Sequence, residues 1–171
     1  MDYFAIQVRT RAEEKYIRLF KARWPQAAVR LVFPQRQLSI RKAGVTKNEI
    51  APIFPGYIFL ETEGSLDPLI YWGLRRTEGF FRFLKSNQDV RPLEGRDLET
   101  VLHFIGFGPV AEKSKVWFGD DDRIAVAEGP LKGLEGRIIK VDKRKGRAKV
   151  KLDLYDDSFA IDLAFEVIAR V

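Results

Sequence analysis

The side chains that most often carry out enzymatic chemistry are scarce in this sequence. Its 171 residues include no cysteine and one histidine, His103. A catalytic triad cannot be assembled around His103, which lies in a predicted helix without a nucleophile nearby. The absence of cysteine excludes disulfides and thiolate metal sites. We therefore predict no catalytic residue, no metal site and no enzymatic activity.

Two short patterns resemble a dinucleotide-binding loop and a metal site but lie in the wrong structural context. Residues 106–111 spell GxGxxA, but they follow a predicted helix rather than a strand and contain Pro109, which contradicts dinucleotide binding. Residues 120–122 are three adjacent aspartates, and neighbouring strand residues would point to opposite faces. A solvated turn is the better interpretation of these acids, and no cofactor is expected.

Positive charge is concentrated in one segment. Lys and Arg number 30 against 24 Asp and Glu, and residues 137–151 hold eight basic residues and one acid. Cations on two strands and their turn could grip RNA phosphates, although a solvated sheet face is the alternative. The candidate RNA-binding residues are Lys132, Arg137, Lys140, Lys143, Arg144, Lys145, Arg147 and Lys149.

The first part of the chain alternates between strand and helix patterns. Residues 3–8 predict a strand, and Thr10 with Glu13 has capping-box spacing for a helix that runs to about Trp24 before Pro25. Further strands are predicted around residues 29–33, 38–40 and 57–60, the last of them wholly apolar and central. Residues 42–54 are turn-rich and predict a projecting loop or hairpin tip.

Two more helices and a strand follow. Asp67 and Pro68 predict a helix start that directs Leu69, Ile70 and Leu74 inward. Residues 80–84 predict a strand, and residues 98–105 a helix that Gly106 terminates. The order strand, helix, three strands, helix, strand, helix predicts an α+β fold of the split-βαβ type.

The character of the sequence changes after residue 108. Residues 109–118 predict a polar linker, and four strand-like runs follow at 123–127, 136–141, 148–154 and 159–163, with a hairpin turn at Lys143–Gly146. So many short strands in so few residues predict a small closed barrel. We therefore expect two domains, residues 1–108 and 119–171.

Two motifs indicate a family. Residues 128–142 place Gly129, Gly133 and Gly136 between two strand-like runs, which predicts positive φ angles and a close backbone approach at Gly136. This segment resembles the KOW motif, although a plain glycine-rich hairpin loop is the alternative. Residues 54–60 resemble the FPGY segment of the NusG N-terminal (NGN) domain, and residues 3–8, 77–80 and 92–93 resemble other parts of it. Together the motifs resemble the NusG family of transcription elongation factors, with an NGN domain followed by an SH3-like KOW barrel.

The resemblance implies partners. In NusG proteins the N-terminal domain presents an apolar face to the clamp helices of RNA polymerase, and the matching residues are Tyr3, Phe54, Pro55, Gly56 and Tyr57. Core positions for some of these rings are the alternative.

The family's barrel docks Rho or a ribosomal protein, and the matching aromatic residues are Tyr155 and Phe159. A turn tyrosine with a solvated hydroxyl is the alternative for Tyr155.

Several departures indicate a specialised paralogue rather than a housekeeping member. The chain opens with Tyr3-Phe4 in place of Trp-Tyr, Arg11 replaces a common glycine, and Thr77-Glu78-Gly79-Phe80 replaces TPGV. RfaH and LoaP represent such paralogues, and LoaP-like members contact a leader RNA hairpin. The resemblance therefore implies an elongation or antitermination factor that could also contact RNA.

A ribosome-associated or general RNA-binding KOW protein is the competing class. Residues 1–108 hold 17 basic and 12 acidic residues, a net charge of +5 that is small for a ribosomal protein. Charged residues appear early and no apolar run reaches the length of a membrane span, so a cytoplasmic monomer without membrane contact is expected.

Overall fold

The structure, a computed structural model, describes residues 1–169 and confirms the α+β class. It divides into two compact units, residues 1–33 with 54–99, and residues 34–53 with 100 onward. The described helices are α1 (Glu13–Arg23), α2 (Pro68–Arg76) and α3 (Gly95–Ile105). None of these helices is long and apolar enough to span a membrane.

The first unit contains a four-stranded antiparallel sheet in the order β2-β5-β1-β6. Its strands are β1 (Asp2–Val8), β2 (Arg30–Val32), β5 (Tyr57–Thr62) and β6 (Phe80–Phe83). The prediction that the apolar run at residues 57–60 is a central strand is confirmed, because β5 pairs with both β1 and β2.

One face of this sheet packs against α1 and α2. Phe4 and Ile6 lie in the same buried cluster as Tyr16 of α1 and Leu74 of α2. The Tyr16 hydroxyl donates to the Leu74 carbonyl at 2.7 Å, and burial raises the pKa of Tyr16 above its usual range. The two helices are thus joined by a buried hydrogen bond as well as by apolar packing.

Close packing of α2 also depends on Gly73. A Cβ at this position would lie 2.6 Å from Nε1 of Trp24, so the indole rests directly on the glycine. No side chain larger than hydrogen fits there without moving the ring.

The predicted start of α1 is wrong and that of α2 is right. Ala12 is the N-cap residue of α1, without a side-chain cap, because the Glu13 carboxylate is buried and faces the Gly56 amide. Asp67 Oδ1 accepts from the Leu69 amide at 2.8 Å, as expected for an N-cap. Leu69, however, is 66% exposed, so its predicted inward position is wrong.

The second unit begins with a hairpin that the sequence did not predict as a pair of strands. Strands β3 (Gln35–Lys42) and β4 (Val45–Pro52) pair along their whole length, and β7 (Val110–Ala111) adds to β3 in parallel. The tip residues Ala43 and Gly44 both have positive φ, as a two-residue hairpin turn requires. Residues 45–50 are exposed and lack apolar alternation, so the sequence predicts a projecting loop or hairpin tip here, of which the tip is found and the strand β4 is not predicted.

The second unit also contains a five-stranded sheet in the order β10-β11-β12-β8-β9, here called the barrel, whose end strands β9 and β10 do not pair, so the closure that the sequence predicts is not seen among the described residues. Its strands are β8 (Ser114–Phe118), β9 (Ile124–Glu128), β10 (Ile138–Asp142), β11 (Arg147–Leu154) and β12 (Asp157–Val167). The turn at residues 143–146 is confirmed. Strands β7 and β8 fall within the predicted linker, and the predicted domain boundaries stay a prediction.

The glycine-rich loop after β9 is stabilised by Gly129 rather than Gly136. Gly129 has φ +105°, and a Cβ there would lie 2.5 Å from the Ser114 Cα atom. Ser114 is fully buried, and its Oγ accepts from the Leu131 amide at 2.9 Å. Gly136 lies in a single 3₁₀ turn with nothing within 4 Å of a Cβ, so the predicted close approach there is wrong.

Candidate functional site

The predicted polymerase-binding segment forms a tight turn. The Tyr57 amide donates to the Phe54 carbonyl at 3.0 Å, and Gly56 has φ +84°. Proline at the second position and a left-handed glycine at the third are typical of a type II turn. The backbone geometry therefore favours Pro55 and calls for glycine at position 56.

Backbone hydrogen bonds join the end of β1 to two of the segments that resemble family motifs. The Val8 amide donates to the Gly56 carbonyl at 2.8 Å, and the Arg9 amide donates to the Gly79 carbonyl at 2.8 Å. Oε2 of buried Glu13 lies 3.5 Å from the Gly56 amide nitrogen. The segments at residues 54–60 and 77–80 are distant in sequence, yet the same strand end holds both.

The predicted aromatic residues share the sheet face opposite the helical core. In the β1–β5 register Tyr3 pairs with Glu61 and Gln7 pairs with Tyr57, so four residues of β1 separate the two tyrosines. That spacing corresponds to roughly 13 Å along the strand. The structure therefore places Tyr3 and Tyr57 on one face but not in one cluster.

Burial differs sharply among these residues. Phe54 is 1% and Tyr57 3% exposed, and the Phe54 ring packs edge-on against Phe59 with centroids 5.3 Å apart. Pro55 is exposed at the corner of the turn, and Tyr3 is partly exposed. A partner could therefore touch Pro55 and the Tyr3 ring directly in this conformation.

Tyr3 belongs to a charged network that the sequence did not reveal. Its hydroxyl donates to Glu61 Oε2 at 2.6 Å, and Arg30 Nη2 donates to the same oxygen at 2.9 Å. The hydrogen bond from Tyr3 holds the pKa of Glu61 below its usual value, and the same bond raises the pKa of Tyr3. Only the strand register brings these three residues together, so no local pattern could have predicted them.

Two of the predicted RNA-binding cations are engaged within the second unit. Lys132 Nζ donates to the Ala127 carbonyl at 3.0 Å. Arg137 Nη1 donates to Thr100 Oγ1 at 3.2 Å, a bond that connects the start of β10 with α3. Lys132 therefore holds a loop of the barrel, and Arg137 holds the barrel to α3.

A third predicted RNA-binding cation, Lys143, contacts the turn between β8 and β9. Lys143 Nζ forms an ion pair with Asp122 and lies 4.2 Å from the centroid of the Phe118 ring. Residues 119–123 form the solvated turn that was predicted for the aspartates, closed by a bond from the Gly119 amide to the Arg123 carbonyl at 2.9 Å.

The remaining predicted cations lie on or beside the outward face of β10 and β11. Lys140 pairs with Lys149 across the two strands, and alternate residues of β11, beginning with Ala148, are buried. Paired residues of neighbouring strands point to the same face. Four predicted cations form no ion pair among residues 1–169, namely Lys140, Arg144, Lys145 and Lys149.

Arg147 lies on the same face but is covered by the β3–β4 hairpin. Its Nη2 donates to the Ser39 carbonyl at 2.7 Å, and its Nη1 lies 3.7 Å from Asp162 Oδ2. The Arg147 side chain is 20% exposed. The hairpin therefore occupies one end of the predicted RNA-binding face.

The predicted docking residues lie at the β11–β12 turn. Tyr155 adopts φ +53° at the turn, and Phe159 lies in β12 opposite Leu152. Both side chains are partly buried. The structure thus places the two rings at the same end of the barrel.

His103 has a structural contact. Its Nε2 lies 2.7 Å from the Pro130 carbonyl oxygen. Among residues 1–169 there is no group of three or more His, Asp or Glu side chains arranged to hold a metal ion.

Comparison with known proteins decides the family. The family model described as "Transcription termination factor nusG" matches residues 1–102, more than half of the chain. The chain belongs to the NusG family. Among curated NusG relatives, the transcription termination/antitermination protein NusG of Helicobacter pylori strain J99 is 20% identical over 177 residues, covering 100% of this chain and 99% of the relative. The Bacillus subtilis NusG is 26% identical over 145 residues, covering 83% and 80%.

A solved NusG structure has the same fold. The Thermotoga maritima NusG matches with a TM-score of 0.55 and 19% identity, covering 95% of this chain and 93% of that one. The predicted combination of an NGN-type domain and a C-terminal barrel is thereby confirmed at the level of fold.

Proposed function

We propose that this NusG-family chain is a transcription elongation factor that binds RNA polymerase through its first unit. The observation that carries the proposal is the type II turn at residues 54–57, which holds Pro55 at an exposed corner. A rigid apolar corner costs little conformational entropy when it docks.

The five predicted polymerase-binding residues then have different roles. Pro55 and the Tyr3 ring supply contact with the clamp helices. Phe54 and Tyr57 are buried and fix the turn from below, and Gly56 supplies the left-handed backbone. Bound in this way, the factor disfavours pausing and promotes processive, antiterminated elongation.

The polymerase proposal is tested by adding one negative charge at the turn. Pro55→Glu should weaken equilibrium binding of the full chain to core bacterial RNA polymerase by at least about tenfold, because a carboxylate cannot be desolvated against an apolar partner surface. Gln26→Glu adds the same charge at an exposed turn after α1 and is the matched control.

Equal affinities for the two variants and the wild type would contradict the turn as a docking site. No binding of the wild type at micromolar concentration would instead favour the alternative, a ribosome-associated or general RNA-binding KOW protein without polymerase contact.

We further propose that the barrel contacts RNA, as in a specialised paralogue. The supporting observation is the adjacent pair Lys140 and Lys149 on β10 and β11, with Arg144 and Lys145 in the turn that joins these strands. Unpaired cations in a continuous row suit the phosphates of an RNA stem.

Recruitment of a second protein completes the proposal. Tyr155 and Phe159 offer an aromatic edge at the β11–β12 turn, which suits docking of Rho or a ribosomal protein. Holding such a partner on the polymerase-bound factor raises its effective concentration.

A further inference from the structure

Arg147 belongs to two surfaces at once. It lies on the outward face of β11, in register with Asp142 of β10 and two residues before Lys149. It is also the residue through which that face holds the β3–β4 hairpin, by the bond to the Ser39 carbonyl. A phosphate that approaches Lys149 therefore meets the hairpin at the next outward position.

Arg36 fixes the hairpin from the other side. Its Nε donates to the Asp162 carbonyl at 2.7 Å, and its Nη1 donates to the Pro52 carbonyl. Burial lowers the pKa of Arg36 to about 10, partly offset by the nearby carboxylate of Asp162. Arg36 is not among the predicted RNA-binding residues; its bond to Asp162 joins the hairpin to β12, and its bond to Pro52 lies within the hairpin.

The charges at this contact are not balanced. Two guanidinium groups, those of Arg36 and Arg147, lie near one carboxylate, Asp162, and the charge of Arg147 opposes the charged form of Arg36. Nε of Arg147 is buried and has no hydrogen-bond partner among the described residues. Guanidinium groups bind phosphate oxygens in pairs, which would satisfy the nitrogen that the hairpin leaves unpaired.

We propose that RNA and the β3–β4 hairpin compete for Arg147, so that RNA binding to the barrel releases the hairpin from β11 and β12. The inference rests on the proposed RNA contact and adds its regulation. By linkage, the factor by which RNA weakens the hairpin contact equals the factor by which the hairpin contact weakens RNA binding. The sign of that effect makes the proposal testable.

The test compares two arginines of the same strand. Arg36→Met removes the hairpin's bond to Asp162 of β12, together with a bond to Pro52 inside the hairpin, whereas Arg41→Met removes the same charge from an exposed position of β3. Loss of a positive charge alone weakens RNA binding. Competition predicts the opposite for Arg36→Met, an affinity about three- to tenfold above that of Arg41→Met.

The probe is a fluorescein-labelled GC-rich RNA stem-loop, titrated with the full chain and followed by fluorescence anisotropy. Affinity of Arg36→Met at or below that of Arg41→Met would overturn competition while leaving the RNA contact intact. No RNA binding by the wild type or by Arg36→Met would overturn the RNA contact and the competition with it.

A second measurement on the wild type does not depend on how the variants fold. Hydrogen exchange of the amides in residues 35–42 should become faster when the RNA stem-loop is added, because released β3 is held only by its pairing with β4 and β7, which then opens more often. Unchanged exchange in this segment at saturating RNA would also overturn the inference.

Discussion

Arg11 connects β1 to α1 with φ +71°, a left-handed conformation that side chains rarely adopt. The conformation turns the chain so that the Arg9 amide reaches the Gly79 carbonyl and Glu13 faces Gly56. An arginine in this region costs about 1–2 kcal/mol relative to a relaxed backbone. The turn that supports the candidate site is therefore a strained position in this chain.

Replacing Arg11 with glycine should relieve that strain. We expect Arg11→Gly to raise the free energy of unfolding by about 0.5–1 kcal/mol, the strain relieved minus the greater flexibility of glycine in the unfolded chain. Urea unfolding followed by far-UV circular dichroism would measure the change. Arg9→Gly removes the same charge where φ is not left-handed and should lower stability, and an equal effect of both substitutions would contradict the strain.

Residue types at the site were predictable, but their exposure was not. The FPGY segment of the family identified Phe54 and Tyr57, yet whether a ring is buried depends on neighbours distant in sequence. The network of Tyr3, Glu61 and Arg30 likewise depends on strand register. The Arg11 departure from glycine was visible in the sequence, and the structure supplies its physical meaning.

At the scale of elements, strong local patterns predicted structure correctly. The apolar run of β5 and the Asp67-Pro68 start of α2 were both found, because a wholly apolar run and a capping pair are visible in the local sequence. Strand β4 was missed since its exposed polar residues pair only with β3. Strand β8 was missed because its parallel pairing with β12 joins segments far apart in the chain.

The loop between β9 and β10 yields a matched pair of glycine substitutions. Gly129→Ala should lower the free energy of unfolding by about 3 kcal/mol or more, because its Cβ would collide with the Ser114 backbone and φ is +105°. Gly136→Ala should be neutral or stabilise by up to about 1 kcal/mol, since nothing lies near its Cβ. Thermal unfolding of both variants measures the difference, and similar losses would contradict the assignment of the close approach to Gly129.

At the scale of the whole molecule, which has a net charge of +6, RNA can reach fewer positive side chains than the sequence predicts. Eight cations were predicted to bind RNA, but Lys132, Arg137 and Lys143 are engaged with other residues of the second unit. Four remain without an ion pair, and Arg147 becomes a fifth if the hairpin is released. The reachable charge is thus about half to two thirds of the predicted set.

Salt dependence measures that number directly. The slope of log affinity against log salt should be about −3 to −4, from four or five neutralised phosphates, rather than the roughly −6 to −7 that eight would give. Anisotropy titrations with the RNA stem-loop over a series of KCl concentrations provide the slope. Lys140→Ala with Lys149→Ala should make the slope shallower by about 1.5, whereas Lys21→Ala with Lys85→Ala, an equal loss of exposed charge in the first unit, should not.

The contact between Trp24 and Gly73 limits which mutations these two positions can accept. Any missense codon at position 73 adds a Cβ at the site of the indole, so every missense allele there should displace the Trp24 ring, whatever residue it encodes. Position 24 is the natural place for second-site suppressors, because a smaller residue than tryptophan would free the space that the new side chain needs. The two positions should therefore drift as a pair, with a larger residue at 73 tolerated only after the indole has been lost.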